Sequence, residues 1–286
     1  MKKVLILGGN GYIGSRLREV LRQKHFVKSN DICWFNHDET SDRRDYHKLT
    51  KQELSEFEVI VVLAGHSSVP SCLGDLPGPW LNNVTNFTDL LDKTTDQLII
   101  YASSASVYGN SKPGEKHKET NTHFTPVNNY DVTKYALDQQ ATIANLQGRH
   151  IIGLRFGTVN GYSPNLRVDV MINSMYHSAV NGTGIQVMNP QISRAMLGIE
   201  DLCRAVLRCI ENPQPGIYNL ASFNSTVGEI ARAVSNKLGI EIIDRGTTAN
   251  AYDFAIDTEL FEQTFDFTFQ ETPATIVDSL LEHYEQ

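Results

Sequence analysis

The stretch Val4-Leu5-Ile6-Leu7-Gly8-Gly9-Asn10-Gly11-Tyr12-Ile13-Gly14 decides the fold. Four consecutive apolar residues read as a strand buried on both faces. Glycines cut that run, and Ile13, Leu17, Val20 and Leu21 then recur at helical spacing with Arg16, Arg18 and Glu19 between them. Strand, glycine turn and helix in this order bring backbone N–H groups to an anion such as a pyrophosphate at the positive end of a helix, where a side chain at Gly11 would block the approach. The spacing differs from Gly-x-Gly-x-x-Gly, so a tight connection that binds nothing is the competing reading.

Working outward, residues 32–35, 59–63, 98–101 and 151–154 are further apolar runs, with helical stretches at 83–91 and 130–145 between the later ones. Thr50-Lys51-Gln52-Glu53 has the form of a capping box. Strand and helix alternating over residues 1–160 predict an α/β fold, a doubly wound parallel sheet with right-handed crossovers. Residues 161–286 are richer in Asn, Gly, Pro and Ser, with helical stretches at 168–181, 199–211, 227–238 and 275–283. They read as a smaller substrate-binding region, and a ligand is expected between the two parts, outside the carboxyl ends of the strands.

The 286 residues are 41% hydrophobic and 20% charged, a globular composition, with a formal net charge of −8 that argues against a nucleic-acid binder. No apolar run reaches the length of a bilayer span, and the opening apolar run is too short for a signal peptide. Cys33, Cys72, Cys203 and Cys209 lack zinc-ligand or dithiol spacing, which predicts reduced thiols in a cytoplasm and no metal site.

Tyr130-Asp131-Val132-Thr133-Lys134 places a phenol and an ammonium on one helical face. A nearby ammonium favours the phenolate, which predicts a tyrosine pKa lowered from about 10 and a usable general acid/base. Upstream, Ala102-Ser103-Ser104-Ala105-Ser106-Val107-Tyr108-Gly109 follows the apolar run 98–101. Together with Gly-Gly-x-Gly-Tyr-Ile-Gly, these segments resemble the extended branch of the short-chain dehydrogenase/reductase family, the NAD-dependent epimerase/dehydratase type.

That resemblance implies a Rossmann-type fold, a nicotinamide cofactor and a nucleotide-diphosphate sugar as substrate, with a homodimer as one assembly the family allows. It assigns catalysis to Ser104, Tyr130 and Lys134, with Asn83 supporting the lysine or a water. Cofactor contacts are expected from Gly8, Asn10, Gly11, Tyr12, Ile13 and Gly14, from Asp45-Tyr46 beside the adenine, and from Leu63-Ala64-Gly65 after a fourth strand. At the end of the second strand, where members that prefer NAD place an acid, the register offers Asn36, which favours NADP and leaves NAD as the alternative. Substrate contacts are expected from His66, Ser104, Ser106, Thr158, Asn173 and Arg194, with Arg194 gripping the diphosphate. Arg167 is a second cation in that region, with pairing to a structural carboxylate as the alternative.

Dehydratases of the family carry an Asp-Glu pair where Ala105 and Ser106 stand, so dehydration is disfavoured. Two reactions remain: reduction of a 4-keto nucleotide sugar, to which Asn36 tips the reading, and 4-epimerisation with tightly held NAD. A regulatory or scaffold protein of the same fold is a more distant alternative, opposed by the presence of Ser104, Tyr130 and Lys134 together.

Overall fold

A computed structural model describes residues 1–34, 41–112, 114–121, 123–248 and 251–284. Strands β1 (Lys3–Leu7), β2 (Phe26–Asn30), β3 (Val59–Val62), β4 (Leu98–Ser104), β5 (Ile151–Phe156) and β6 (Gly216–Leu220) form one six-stranded sheet. Their order is β6-β5-β4-β3-β1-β2, and every neighbouring pair is parallel. The architecture is the Rossmann-like sheet that the alternation predicts.

Side chains alternate across the sheet and explain why the central strands are apolar throughout. Val4, Ile6, Val59, Val61, Leu98 and Ile100 face a core shared with Leu17 and Leu21 of helix α1 (Tyr12–Arg22) and with Leu202, Val206 and Phe261. On the other face, Leu5, Leu7, Ile60, Val62, Ile99 and Tyr101 pack on helices α2 (Asn86–Lys93) and α3 (Asn129–Leu146) through Phe87, Leu90, Leu137 and Ala141. A third core, including Ile172, Met175, Ile230, Val234 and Ile276, holds the C-terminal region together. The capping box at Thr50 and Glu53 is formed.

The second strand departs from expectation. It covers Phe26–Asn30 instead of 32–35, with Phe26 and Lys28 exposed. Paired along its length with β1 alone among the described strands, it is an edge strand half open to water and carries no continuous apolar run to mark it. Beyond it, where the usual 3-2-1-4-5-6 order has a third strand, the described residues hold one isolated parallel bridge between Asn30 and Asp42. The turn expected after a fourth strand therefore follows β3, the third.

Within the C-terminal region a buried acidic knot ties the helix Ile199–Glu211 to residues 222 and 270–271. Glu271 accepts the Asp201 N–H at 2.8 Å, while the Asp201 carboxylate accepts the N–H groups of Gln270 and Glu271 and the Ser222 hydroxyl. Burial, reinforced by the charges of Asp201 and Glu200, pushes Glu271 up from the usual 4.5 to about 7. A carboxyl with a raised folded-state pKa contributes stability that is present below its unfolded value and lost as pH rises through 7. Glu271→Gln, which keeps the acceptor oxygen and removes the charge, should stabilise the protein by about 2 kcal/mol more at pH 8 than at pH 5. Urea denaturation of both proteins at the two pH values measures it, and equal differences at both would refute the assignment.

Candidate active site

One cavity of about 1040 Å³ opens along the carboxyl ends of the strands and reaches from Gly8 to Phe254. Its floor begins at the glycine turn. Gly8 has a φ of +85°, and a Cβ there would lie 2.6 Å from the Ala64 nitrogen. At Gly14 a Cβ would lie 2.2 Å from the Gly8 carbonyl oxygen, so both glycines are required by close packing. At Gly11 a Cβ would meet only that same oxygen, at 3.4 Å. The space it would otherwise take belongs to the cavity at the first turn of α1, where backbone N–H groups lack helical partners. Tyr12, Ile13, Leu63, Ala64 and Gly65 also line the cavity. This cradle fits the pyrophosphate of a dinucleotide.

Asn10 turns away from the cavity. Its side chain accepts from Arg18 at 2.8 Å and from Ser41 at 2.9 Å and donates to the Cys33 sulfur, so it stabilises the loop instead of facing a cofactor. Asn36 lies outside the described residues. Asp31 follows the last residue of β2 and lines the cavity. Its carboxylate accepts the N–H groups of Asn10 at 2.9 Å and Cys33 at 2.7 Å, which leaves acceptor capacity for ribose hydroxyls. Asp45 and the buried Tyr46 line the same end, with the Tyr46 hydroxyl on the Asn82 carbonyl.

Helix α3 starts at the Asn128 cap and carries Tyr130 and Lys134 on one face. The Lys134 ammonium lies 5.8 Å from the centre of the Tyr130 ring and donates to the Ala102 carbonyl at 2.8 Å. Burial lowers Lys134 to about 8. Tyr130 is raised to about 12, against the expected lowering, because burial outweighs the hydrogen bond from Ser104. Ser104 and Ser106 share a hydroxyl hydrogen bond of 2.8 Å on the cavity wall. Asn83 sits within a π-helical turn, Trp80–Thr85, and reaches Thr133 and the backbone of His66 in place of Lys134. His66 lines the cavity with its ring hydrogen-bonded to Asn82 and edge-on to Trp34.

At the far end Thr158, Arg167 and Arg194 line the cavity. Arg194 donates to the Tyr252 carbonyl at 3.2 Å and stacks near the Tyr252 and Phe254 rings, while its buried Nε has no hydrogen-bond partner among the described residues. Arg167 forms a two-pronged pair with Asp169 at 2.7 and 2.9 Å. Asn173 is fully buried and binds Gly161, Arg167 and Tyr12, away from the cavity, so the diphosphate contact expected of it is not available. Asp31, Tyr252 and Phe254 line the cavity too, outside the residues that the sequence points to. The acid was legible once β2 is ended at Asn30, whereas nothing in the local sequence marks 252 and 254.

The family model for the NAD-dependent epimerase/dehydratase family matches residues 4–221. Protein CapI of Staphylococcus aureus is 28% identical over an alignment of 343 positions that takes in 99% of this chain and 100% of that protein. MoeE5, solved in complex with UDP-glucuronic acid and NAD, superposes with a TM-score of 0.85 at 22% identity over 98% of each chain. The UDP-glucuronic acid 4-epimerase from Bacillus cereus, with the same two ligands, superposes with a TM-score of 0.85 at 18% identity over 99% of each.

Gly65 links this wall to the cofactor cradle. Its φ is +138°, and a Cβ would fall 2.4 Å from the Asn83 oxygen that accepts the His66 N–H. Gly65→Ala should therefore cost about 2 to 4 kcal/mol, from backbone strain together with a broken buried hydrogen bond. Urea denaturation reads the loss, and a cost under about 0.5 kcal/mol, the size of an ordinary surface substitution, would refute the argument.

Proposed function

The chain belongs to the NAD-dependent epimerase/dehydratase family, the extended short-chain dehydrogenase/reductases, and from that premise we propose that it is a nucleotide-sugar 4-epimerase that keeps NAD bound. The observation that carries the reading is Asp31, an acid at the carboxyl end of β2 on the wall of the cavity that also holds Tyr130. A carboxylate there binds ribose hydroxyls and repels a 2′-phosphate. Of the two reactions that the sequence leaves open, it supports the one that runs on NAD.

Bound NAD supplies a reversible hydride store. Ser104 holds the C4 oxygen of the sugar, and Tyr130 takes the hydroxyl proton and later returns it, so the substrate leaves neither oxidised nor reduced. Lys134, tied to the Ala102 carbonyl beside the Tyr130 ring, supplies the positive charge that favours the phenolate. Arg194, with an unpartnered buried Nε, takes the diphosphate, the role its charge and fork geometry suit. Ala105 and Ser106 leave no acid in the positions where a dehydratase protonates the departing hydroxyl. The UDP-glucuronic acid and NAD in the two structural relatives support this choice of ligands.

Mass analysis of nucleotide released from the denatured, purified protein should find NAD without NADP. Incubated with UDP-glucose or UDP-glucuronic acid and no added cofactor, the enzyme should produce the C4 epimer of one of them, detectable by proton NMR. Turnover that depends on added NADPH would overturn the proposal in favour of the reductase. Tyr130→Phe should lower kcat at least about a hundredfold with retained NAD unchanged, because only the proton-transferring oxygen is lost. In Asp31→Asn, NAD should bind about tenfold more weakly, the scale of a charged hydrogen bond lost, as isothermal titration of cofactor-stripped protein would show.

A further inference from the structure

Asp131, next to Tyr130, is completely buried. Three donors converge on its Oδ2: the Val127 N–H at 3.2 Å, the Asn128 amide at 2.9 Å and the Tyr252 hydroxyl at 2.7 Å. Its Oδ1 is buried without a partner among the described residues. This carboxylate is not needed as a cap, since the Asn128 side chain already accepts the Asp131 N–H at 3.0 Å. It also opposes phenolate formation at Tyr130, because its charge helps to hold the phenolic proton. A charge buried at such cost needs another reason, and among the described residues the donor it draws from outside the start of α3 is Tyr252.

Tyr252 belongs to a strap, residues 251–254, sewn to the segments at 110–111 and 193–194. Asp253 binds Asn110, Ser111 and Ser193, and the Phe254 N–H donates to the Ser193 carbonyl at 3.1 Å. The Tyr252 carbonyl accepts from Arg194, whose guanidinium also lies 6.0 Å from the centre of the Tyr252 ring.

We infer that Tyr252 is a positioning residue: through its carbonyl on Arg194 and its hydroxyl on Asp131, it ties the anion-binding end of the cavity to the helical turn that carries Tyr130. Occupancy of Arg194 by a diphosphate thereby fixes the phenol in its working place. The inference rests on the nucleotide-sugar reading above, of which it describes the internal coupling. Substrate binding and proton transfer are joined by one side chain, so loss of its hydroxyl separates them.

The test is hydrogen–deuterium exchange of the protein with and without UDP, alongside steady-state kinetics. In the wild type, UDP should slow exchange in residues 193–196 and in 127–132. In Tyr252→Phe, which keeps the ring, UDP should still protect 193–196 but no longer 127–132. Its kcat should fall about tenfold, within the range that small misplacements of catalytic groups cause, while KM changes less than about threefold. Asp131→Asn, which keeps an acceptor for the hydroxyl, should retain the protection at 127–132. Unchanged protection there in Tyr252→Phe, with kcat within about twofold of wild type, would overturn the inference and leave the proposed function standing. Absence of UDP protection at both segments of the wild type would instead overturn the nucleotide-sugar reading and the coupling with it.

Discussion

The buried pair of Asp138 and Arg155 is the constraint on which the site depends. Arg155 of β5 donates to Asp138 of α3 at 2.8 Å, and the other Asp138 oxygen accepts the Tyr101 hydroxyl of β4 at 2.7 Å. Both charged side chains are almost wholly removed from water. A pair of this kind costs more to break than it contributes to stability, so its main effect is to fix geometry. Tyr130, Lys134 and Asp138 follow at intervals of four, which sets them in a row along one face of α3. Pinning Asp138 to two adjacent strands thus fixes the height at which Lys134 meets the Ala102 carbonyl and Tyr130 meets Ser104. Gly153 belongs to the same arrangement, since a Cβ there would lie 2.3 Å from the Tyr101 hydroxyl oxygen.

The electrostatics of the cavity run against those of the chain. A protein with a net charge of −8 would need cations gathered locally to hold an anionic ligand, and Lys134, Arg167 and Arg194 line its cavity. They differ in availability. Arg167 is engaged by Asp169, and Lys134 by a carbonyl. Arg194 rests on aromatic faces and one carbonyl, which support the cation without neutralising it.

Legibility in the sequence followed burial. Central strands covered on both faces appear as apolar runs, so β1, β3, β4 and β5 lie where those runs stand, and the glycine turn could be read because only glycine suits its packing. The edge strand Phe26–Asn30 obeys no such rule, and the apolar run at 32–35 drew the expected register too far along the chain. That displacement hid Asp31 and put Asn36 in its place. Asn10 and Asn173 have the composition of ligand-binding residues, yet both are spent on backbone and neighbouring side chains, which a motif cannot disclose. The direction of the Tyr130 shift is hidden from the sequence for a similar reason. Spacing reveals the ammonium, whereas the larger effect of burial is a property of the assembled fold.

The walls of the cavity come from chain segments about 240 residues apart, the glycine turn at Gly8 and the strap ending at Phe254. Between them lie two connections to the C-terminal region: β6 returns to the sheet beside β5, and the short strand Thr158–Asn160 pairs with Ser193–Gly198. A ligand filling the cavity therefore touches both parts at once and stabilises only the arrangement in which they are correctly joined. The sheet side of the cavity holds the glycine cradle and the Ser104, Tyr130 and Lys134 cluster, and the C-terminal segments supply the opposite wall through Arg194, Tyr252 and Phe254. Tyr252 and Phe254 stand outside the motifs that mark the family in this sequence, yet they line the same cavity as the glycine turn, so the fold and not the motif brings them to it.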